Sequence, residues 1–304
     1  MISIQALLVA SHCEMLLMTI KELLMQGIRV LIPTASEEAR RDAQVLLAHV
    51  LEVERSAFYA YPEREVTPKQ VKRFLQLIER RKAGEPVAYL VGHREFYGHD
   101  FLVDKRVLIP RPETELLVEA ALSSIQQKLS SRQIPIVADI GTGSGAIPIT
   151  LSLEETRLPY LYACDISADA LQVAQLNCQL HHVEARIHLL LGDLLAPVPE
   201  PVDILTANLP YVGTEEIKVI APDVQVYEPH LALFSGPQGL DLLYRFCQEA
   251  AQPGVLKPHA VLLLEIGYSQ KEPLAKLLYQ FWPQAQISFK KDYAGWDRLV
   301  QVYL

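Results

Sequence analysis

The chain has 304 residues, half of them hydrophobic and 21% charged, which suits a globular protein with a large core and a smaller second domain. Its formal net charge of −8 argues against a protein held on nucleic acid by diffuse phosphate contacts, while leaving room for a local basic patch. Fifteen Lys/Arg against thirteen Asp/Glu from Met18 to Arg106 leave +2, whereas thirteen against twenty-two from Val107 to Leu304 leave −9.

Residues 1–17 look faintly like a signal peptide. They lack a basic start, His12, Cys13 and Glu14 interrupt the apolar run, and the run is too short to cross a bilayer. Met18 followed by TIKELL reads as a natural start, so 1–17 is expected to be a misannotated upstream extension. No other stretch is apolar enough to span a membrane, which predicts a soluble cytoplasmic protein without membrane contact. The cysteines Cys13, Cys164, Cys178 and Cys247 form no CxxC pair and no Cys/His group at ligand spacing; reduced buried thiols and no metal site are expected.

Residues 18–84 read as a helical domain. Leu23, Leu24, Ile28 and Val30 begin an apolar pattern that Pro33 ends, and Ser36-Glu-Glu-Ala starts a second helix carrying Ala43, Leu46, Leu47 and Val50. Thr67-Pro68 opens a third, with Val71, Phe74, Leu75 and Ile78 at helical spacing. Lys69, Lys72, Arg73, Arg80, Arg81 and Lys82 make that helix basic, which fits a solvated face or, more sharply, a dock for an acidic partner. Between Glu85 and Pro112, β-type residues such as Tyr89, Val91, Phe96 and Phe101 alternate with Gly92 and Gly98 and predict a hairpin-like connector. A helix follows from near Thr114. From Ile136 onward, strands (IVADI, YLYACD, RIHLLL, VDILTA, AVLLLEI) alternate with helices, the pattern of a parallel sheet covered on both faces. QISFK and RLVQVYL are joined only by KDYAGWD and should pair antiparallel at the sheet edge.

Four strand-end motifs carry the chemistry. Asp139-Ile140-Gly141-Thr142-Gly143-Ser144-Gly145 follows a strand and opens a helix, where glycines allow a tight turn and close ligand approach. Taken alone, it also fits nucleotide-binding loops. Asp165 ends the next strand, 20 residues after Gly145, the spacing at which a carboxylate reaches a ribose diol; capping the following helix is the plainer role. Gly192-Asp193-Leu194 fits a plain turn as well as a site where Asp193 accepts from an adenine amino group with Leu194 against the ring. The discriminating motif is Asn208-Leu209-Pro210-Tyr211. The lone pair of an amide or aryl NH₂ is delocalised and attacks a sulfonium methyl poorly. The Asn208 oxygen and a backbone carbonyl near Leu209–Pro210 would hold both N–H bonds and offset the charge developing on nitrogen, with Tyr211 as a stacking face. Strand carboxyl ends line the ligand crevice of an open α/β sheet, so the four motifs together predict an S-adenosyl-L-methionine-dependent methyltransferase acting on a planar nitrogen.

The sequence resembles the HemK/PrmC-type peptide chain release factor glutamine methyltransferases from Met18 onward. The resemblance rests on Arg41-Asp42-Ala43 with Leu46-Leu47, Glu85-Pro86 with Gly92, Arg94, Glu95 and Phe96, and Leu108-Ile-Pro-Arg-Pro-Glu-Thr-Glu115. It continues through Asp139 to Gly145, Asn208 to Tyr211, Glu228-Pro229 with Ala232-Leu233, and Gly239-Leu240-Asp241. It implies a release-factor-docking domain over 18–84, the connector over 85–112 and a seven-strand Rossmann-like methyltransferase domain over 113–304. The substrate would be the glutamine (N5) of the release factor's GGQ loop. Gly141 to Gly145, Asp165, Asp193, Leu194 and Asn208 would contact the cofactor; Asn208 to Tyr211 would hold the glutamine; Arg111 and Glu113 would shape the entrance. Where the family motif usually has proline this chain has Leu209, and leucine at that position is also met in methyltransferases of RNA adenine, so adenine-N6 methylation of RNA or DNA is the alternative. No stable nucleic-acid binding is expected on the first reading.

Overall fold

A computed structural model describes residues 18–32 and 38–304; the expected extension 1–17, and Pro33 and Ser36, lie outside the described residues. The chain divides into two compact units, the first ending at Val91 and the second running from Gly92 to Leu304.

The first unit holds β1 (Met18–Thr19), α1 (Ile20–Leu31), α2 (Ala39–Leu51), α3 (Ala57–Ala60), β2 (Glu65–Val66), α4 (Pro68–Lys82) and α5 (Val87–Val91). Thr19 and Glu22 close a reciprocal capping box on α1, and Thr67 and Gln70 do the same for α4, with Pro68 in its first turn. Leu23, Leu31, Leu46, Leu47, Phe74 and Ile78 are buried between the helices. Gly27 lets α1 settle on α4, because a Cβ there would stand 2.6 Å from the Phe74 ring. The basic run of α4 proves divided in role. Arg81 turns inward to Asp42 of α2 at 2.7 Å and Arg80 binds Glu85, whereas Lys69, Lys72, Arg73 and Lys82 are exposed. Residues Val87–Val91, read as β-type, form a helix instead. The carbonyl of Pro86 takes the N–H groups of Tyr89 and Leu90, and burial of Leu90 in the helical core outweighs local strand preference.

The second unit opens with the hairpin β3 (His93–Phe96) and β4 (His99–Leu102), whose turn residues Tyr97 and Gly98 both have positive φ. Then follow α6 (Glu115–Ser130), β5 (Val137–Ile140), α7 (Ala146–Glu154), β6 (Leu161–Asp165), α8 (Ala168–Leu180), β7 (Ile187–Leu191) and β8 (Val202–Ala207). The chain ends with α9 (Pro222–Tyr227), α10 (Asp241–Ala250), β9 (Leu256–Glu265), α11 (Lys271–Phe281), β10 (Gln286–Lys291) and β11 (Asp297–Tyr303). The sheet order is β10-β11-β9-β8-β5-β6-β7, with β9 to β7 parallel and β11 antiparallel to both its neighbours. The expected antiparallel pair is therefore present, with β11 inserted between β9 and the edge strand β10.

Every residue of β5 and β8 is buried, as central parallel strands covered on both faces require. One apolar layer gathers Leu117, Ile125, Ile149 and Leu161; the other gathers Leu205, Phe246, Leu262 and Leu278. Because β5 has β6 on one side and β8 on the other, the strand order reverses there, and a crevice opens beyond the carboxyl ends of these strands. Among the described residues no helix is long and apolar enough to cross a membrane.

Candidate active site

At the reversal lies a cleft of about 270 Å³ lined by Gly141 to Ser144, Asp165, Asp193, Leu194, Asn208, Leu209 and Pro210, together with Arg111 and Thr114. All four strand-end motifs contribute to it. Gly141, Gly143 and Gly145 adopt φ of +76°, +56° and +79°. Each has its own reason: a Cβ on Gly141 would press on Leu209, one on Gly145 would collide with Ile149 and Ala174, and one on Gly143 would meet open space. Leu209 thus packs on the glycine turn and is 4% exposed.

Asp165 ends β6 with both carboxylate oxygens engaged by backbone: Gly143 N–H donates at 2.8 Å and Ser167 N–H at 2.9 Å. The carboxylate thereby ties the glycine turn to the start of α8. Burial raises its pKa, and these N–H groups work in the opposite direction. Asp193 receives the Arg245 guanidinium of α10 at 2.6 Å, so one of its oxygens is already paired. Beneath the glycine turn, Asp139 takes the Thr206 hydroxyl at 2.7 Å, and burial pushes its pKa up to about 6. The buried Thr142 hydroxyl faces the same carboxylate, and the Thr206 and Thr142 hydroxyls both draw its pKa back down. Burial also pushes the Cys164 thiol up to about 12, which leaves it protonated and a poor nucleophile.

Asn208 donates from Nδ2 to Thr114 Oγ1 at 3.1 Å. Thr114 in turn donates to Glu265 at 2.6 Å, and Tyr211 donates its hydroxyl to the same carboxylate at 3.2 Å. Tyr211 is thus turned toward Glu265 and is absent from the cleft lining, as is Glu113. Gln270 holds the Tyr211 segment by donating to the Tyr211 carbonyl at 2.8 Å and to that of Gly239 at 3.2 Å. The Arg111 guanidinium meets Glu228 at 2.5 Å, and the same carboxylate accepts Ile109 N–H. Two motifs more than 100 residues apart in sequence, the LIPRPETE segment and Glu228-Pro229, therefore interlock to form one wall. Thr114, Glu228, Glu265 and Gln270 were not singled out as site residues from sequence. Glu228 and Thr114 lay within quoted motifs, whereas nothing near Glu265 or Gln270 marked them.

A sheet of this order, with its cleft at the β5/β8 reversal, defines a Rossmann-like α/β domain, which the chain carries beside a helical unit. The family described as PrmC N-terminal domain matches residues 22–92, and that described as methyltransferase domain matches 118–228. Release factor glutamine methyltransferase of Bacillus cereus is 38% identical over 260 residues, covering 84% of this chain and 90% of the relative. Its counterpart from Moorella thermoacetica is 41% identical over 289 residues, covering 94% and 99%. The catalytic domain of hMettl16, solved with an RNA hairpin, shares the fold at a TM-score of 0.53 and 13% identity over 84% of this chain and 90% of that one. The chain belongs to the release factor glutamine methyltransferase family.

Proposed function

We propose that the protein transfers a methyl group from S-adenosyl-L-methionine to the side-chain N5 of the glutamine in the GGQ motif of peptide chain release factors. The observation that carries this reading is a single cleft in which the glycine turn, Asp165 and Asn208 stand together, in a chain similar to proteins of that name along most of its length.

The residues present suit the cofactor. The Asp165 carboxylate keeps lone pairs for a ribose diol, Gly143 leaves open space at its Cα, and Ile166 and Leu194 supply apolar walls for a purine. When bound, S-adenosyl-L-methionine supplies an electrophilic sulfonium methyl. Asn208 Oδ1 and a carbonyl near Leu209–Pro210 accept the two N–H bonds of the substrate amide, orient its nitrogen and stabilise the positive charge that develops there. The first unit, with its exposed cations on α4, docks the release factor, and the reaction takes place in the cytoplasm. Arg111, held by Glu228, lines the cleft wall through which the glutamine enters; Glu113 stands on the same turn.

The reading is tested by transfer of labelled methyl to purified release factor, with a GGQ-to-GGA release factor, rRNA and DNA in parallel. Label confined to the intact GGQ protein is the expected result. Label on nucleic acid would overturn it in favour of adenine methylation.

A further inference from the structure

An asparagine amide can occupy its site either way round, and only one orientation offers an acceptor to a substrate N–H. We propose that Thr114 and Glu265 are positioning residues which set the orientation of the Asn208 amide and hold its oxygen toward the substrate. The proposal rests on the glutamine-methylation reading and adds to it the origin of the amide's polarity.

The donors available around Asn208 fix which way its amide faces. Glu265, the last residue of β9, is 2% exposed and accepts from Thr114 at Oε2 and from Tyr211 at Oε1. An ionised carboxylate has no proton to give, so the Thr114 hydroxyl proton is committed to it and only lone pairs remain on Thr114 Oγ1. The group that Asn208 turns to Thr114 must then be its NH₂, which is the contact observed at 3.1 Å. Oδ1, at the other end of the amide, takes no protein donor among the described residues. A substrate amide arriving in the cleft meets an acceptor whose orientation is already set, so no reorganisation is required as charge develops.

Protonation of Glu265 reverses this chain. The carboxylic acid donates to Thr114, Thr114 donates to Asn208 Oδ1, and the NH₂ of Asn208 turns to face the NH₂ of the substrate. The groups facing Glu265 are the Thr114 and Tyr211 hydroxyls, the Arg298 guanidinium of β11 and the Glu113 carboxylate. Burial outweighs the help of the hydroxyls and Arg298 and pushes its pKa up to about 7. Asp139, pushed up to about 6, is bonded by Thr206 and takes no part in the chain to Asn208.

The test is steady-state methylation of release factor across pH by the wild type, Thr114→Ser, Thr114→Val and Glu265→Gln, with calorimetric cofactor Kd as the check on folding. Thr114→Val is expected to lower kcat on the order of 10²-fold with cofactor Kd unchanged, and Thr114→Ser to keep most of the wild-type rate. Glu265→Gln, whose amide oxygen can still accept the Thr114 hydroxyl, is read through its pH profile. The wild-type kcat should fall about tenfold per pH unit on the acid side of the Glu265 pKa, a limb absent from Glu265→Gln. A Thr114→Val enzyme with wild-type kcat, a Thr114→Ser enzyme as slow as Thr114→Val, or an unchanged acid limb in Glu265→Gln would overturn the proposal. A wild type that methylates no release factor would instead remove the glutamine reading on which it rests.

Discussion

Asn208 and Asp165 share one cleft but do separable work. Replacing Asn208 by Ala removes the acceptor that strengthens as charge develops on nitrogen, so kcat should fall on the order of 10²–10³-fold while cofactor still binds. Stopped or steady-state turnover beside a cofactor titration checks the split. Asp165→Ala acts on the other side. It frees the glycine turn from α8 and deletes a charged acceptor worth about 1.5–3 kcal/mol, so cofactor Kd should rise roughly 10–100-fold by calorimetry. At this scale the strand-end motifs pointed to the cleft, which Gly141 to Ser144, Asp165, Leu194 and Asn208 line, whereas Gly145 and Tyr211 of the same motifs do not. Thr114 and Glu265 were not readable as a pair, because 151 residues separate them and neither sits in a local pattern that names its partner.

The elements around the site depend on a few close approaches of backbone. The sharpest is at Gly239, with φ +75°, where a Cβ would stand 1.9 Å from the Tyr211 carbonyl and 2.7 Å from Gln270 Nε2. Gly239→Ala therefore meets left-handed strain of about 1–2 kcal/mol and must also push Tyr211 and Gln270 apart. A lowered Tm together with a lowered kcat is the expected outcome, measured by thermal melts and turnover; a variant equal to wild type in both would show that the loop yields freely. Element type was largely legible here. Helices α1 and α4 begin at capping boxes and the hairpin turns at Tyr97-Gly98, both encoded within a few residues. Val87–Val91 was the exception, since a five-residue apolar stretch suits helix or strand equally and its tertiary neighbours decided.

Within the helical unit, the Arg81–Asp42 pair joins α4 to α2 across 39 residues, and both side chains are only 10% exposed. Asp42→Ala removes a charged hydrogen bond from Arg81, which keeps Glu38 and the Glu85 carbonyl, and should destabilise this unit by about 1.5–3 kcal/mol. Hydrogen exchange over 39–82 is the measurement, with protection in α2 and α4 falling together. In the sheet unit, the buried strands β5 and β8 set the plane against which both apolar layers pack, and the strand reversal between their neighbours opens the crevice. The strand order follows from the whole topology, yet each strand that builds it was visible as an apolar run ending in a polar or glycine turn.

The amino-acid sequence by itself determined the alternation of strands and helices, the antiparallel pair that closes the sheet, and the four strand-end motifs. These signals are local: a periodicity or a turn residue acts through backbone geometry within one element. Only the tertiary structure decided that Arg81 faces Asp42, that Glu228 clamps Arg111, that Tyr211 turns to Glu265 and that Thr114 stands between Glu265 and Asn208. Such pairings join groups far apart in the chain, and burial makes each of them obligatory once the sheet has brought the groups together.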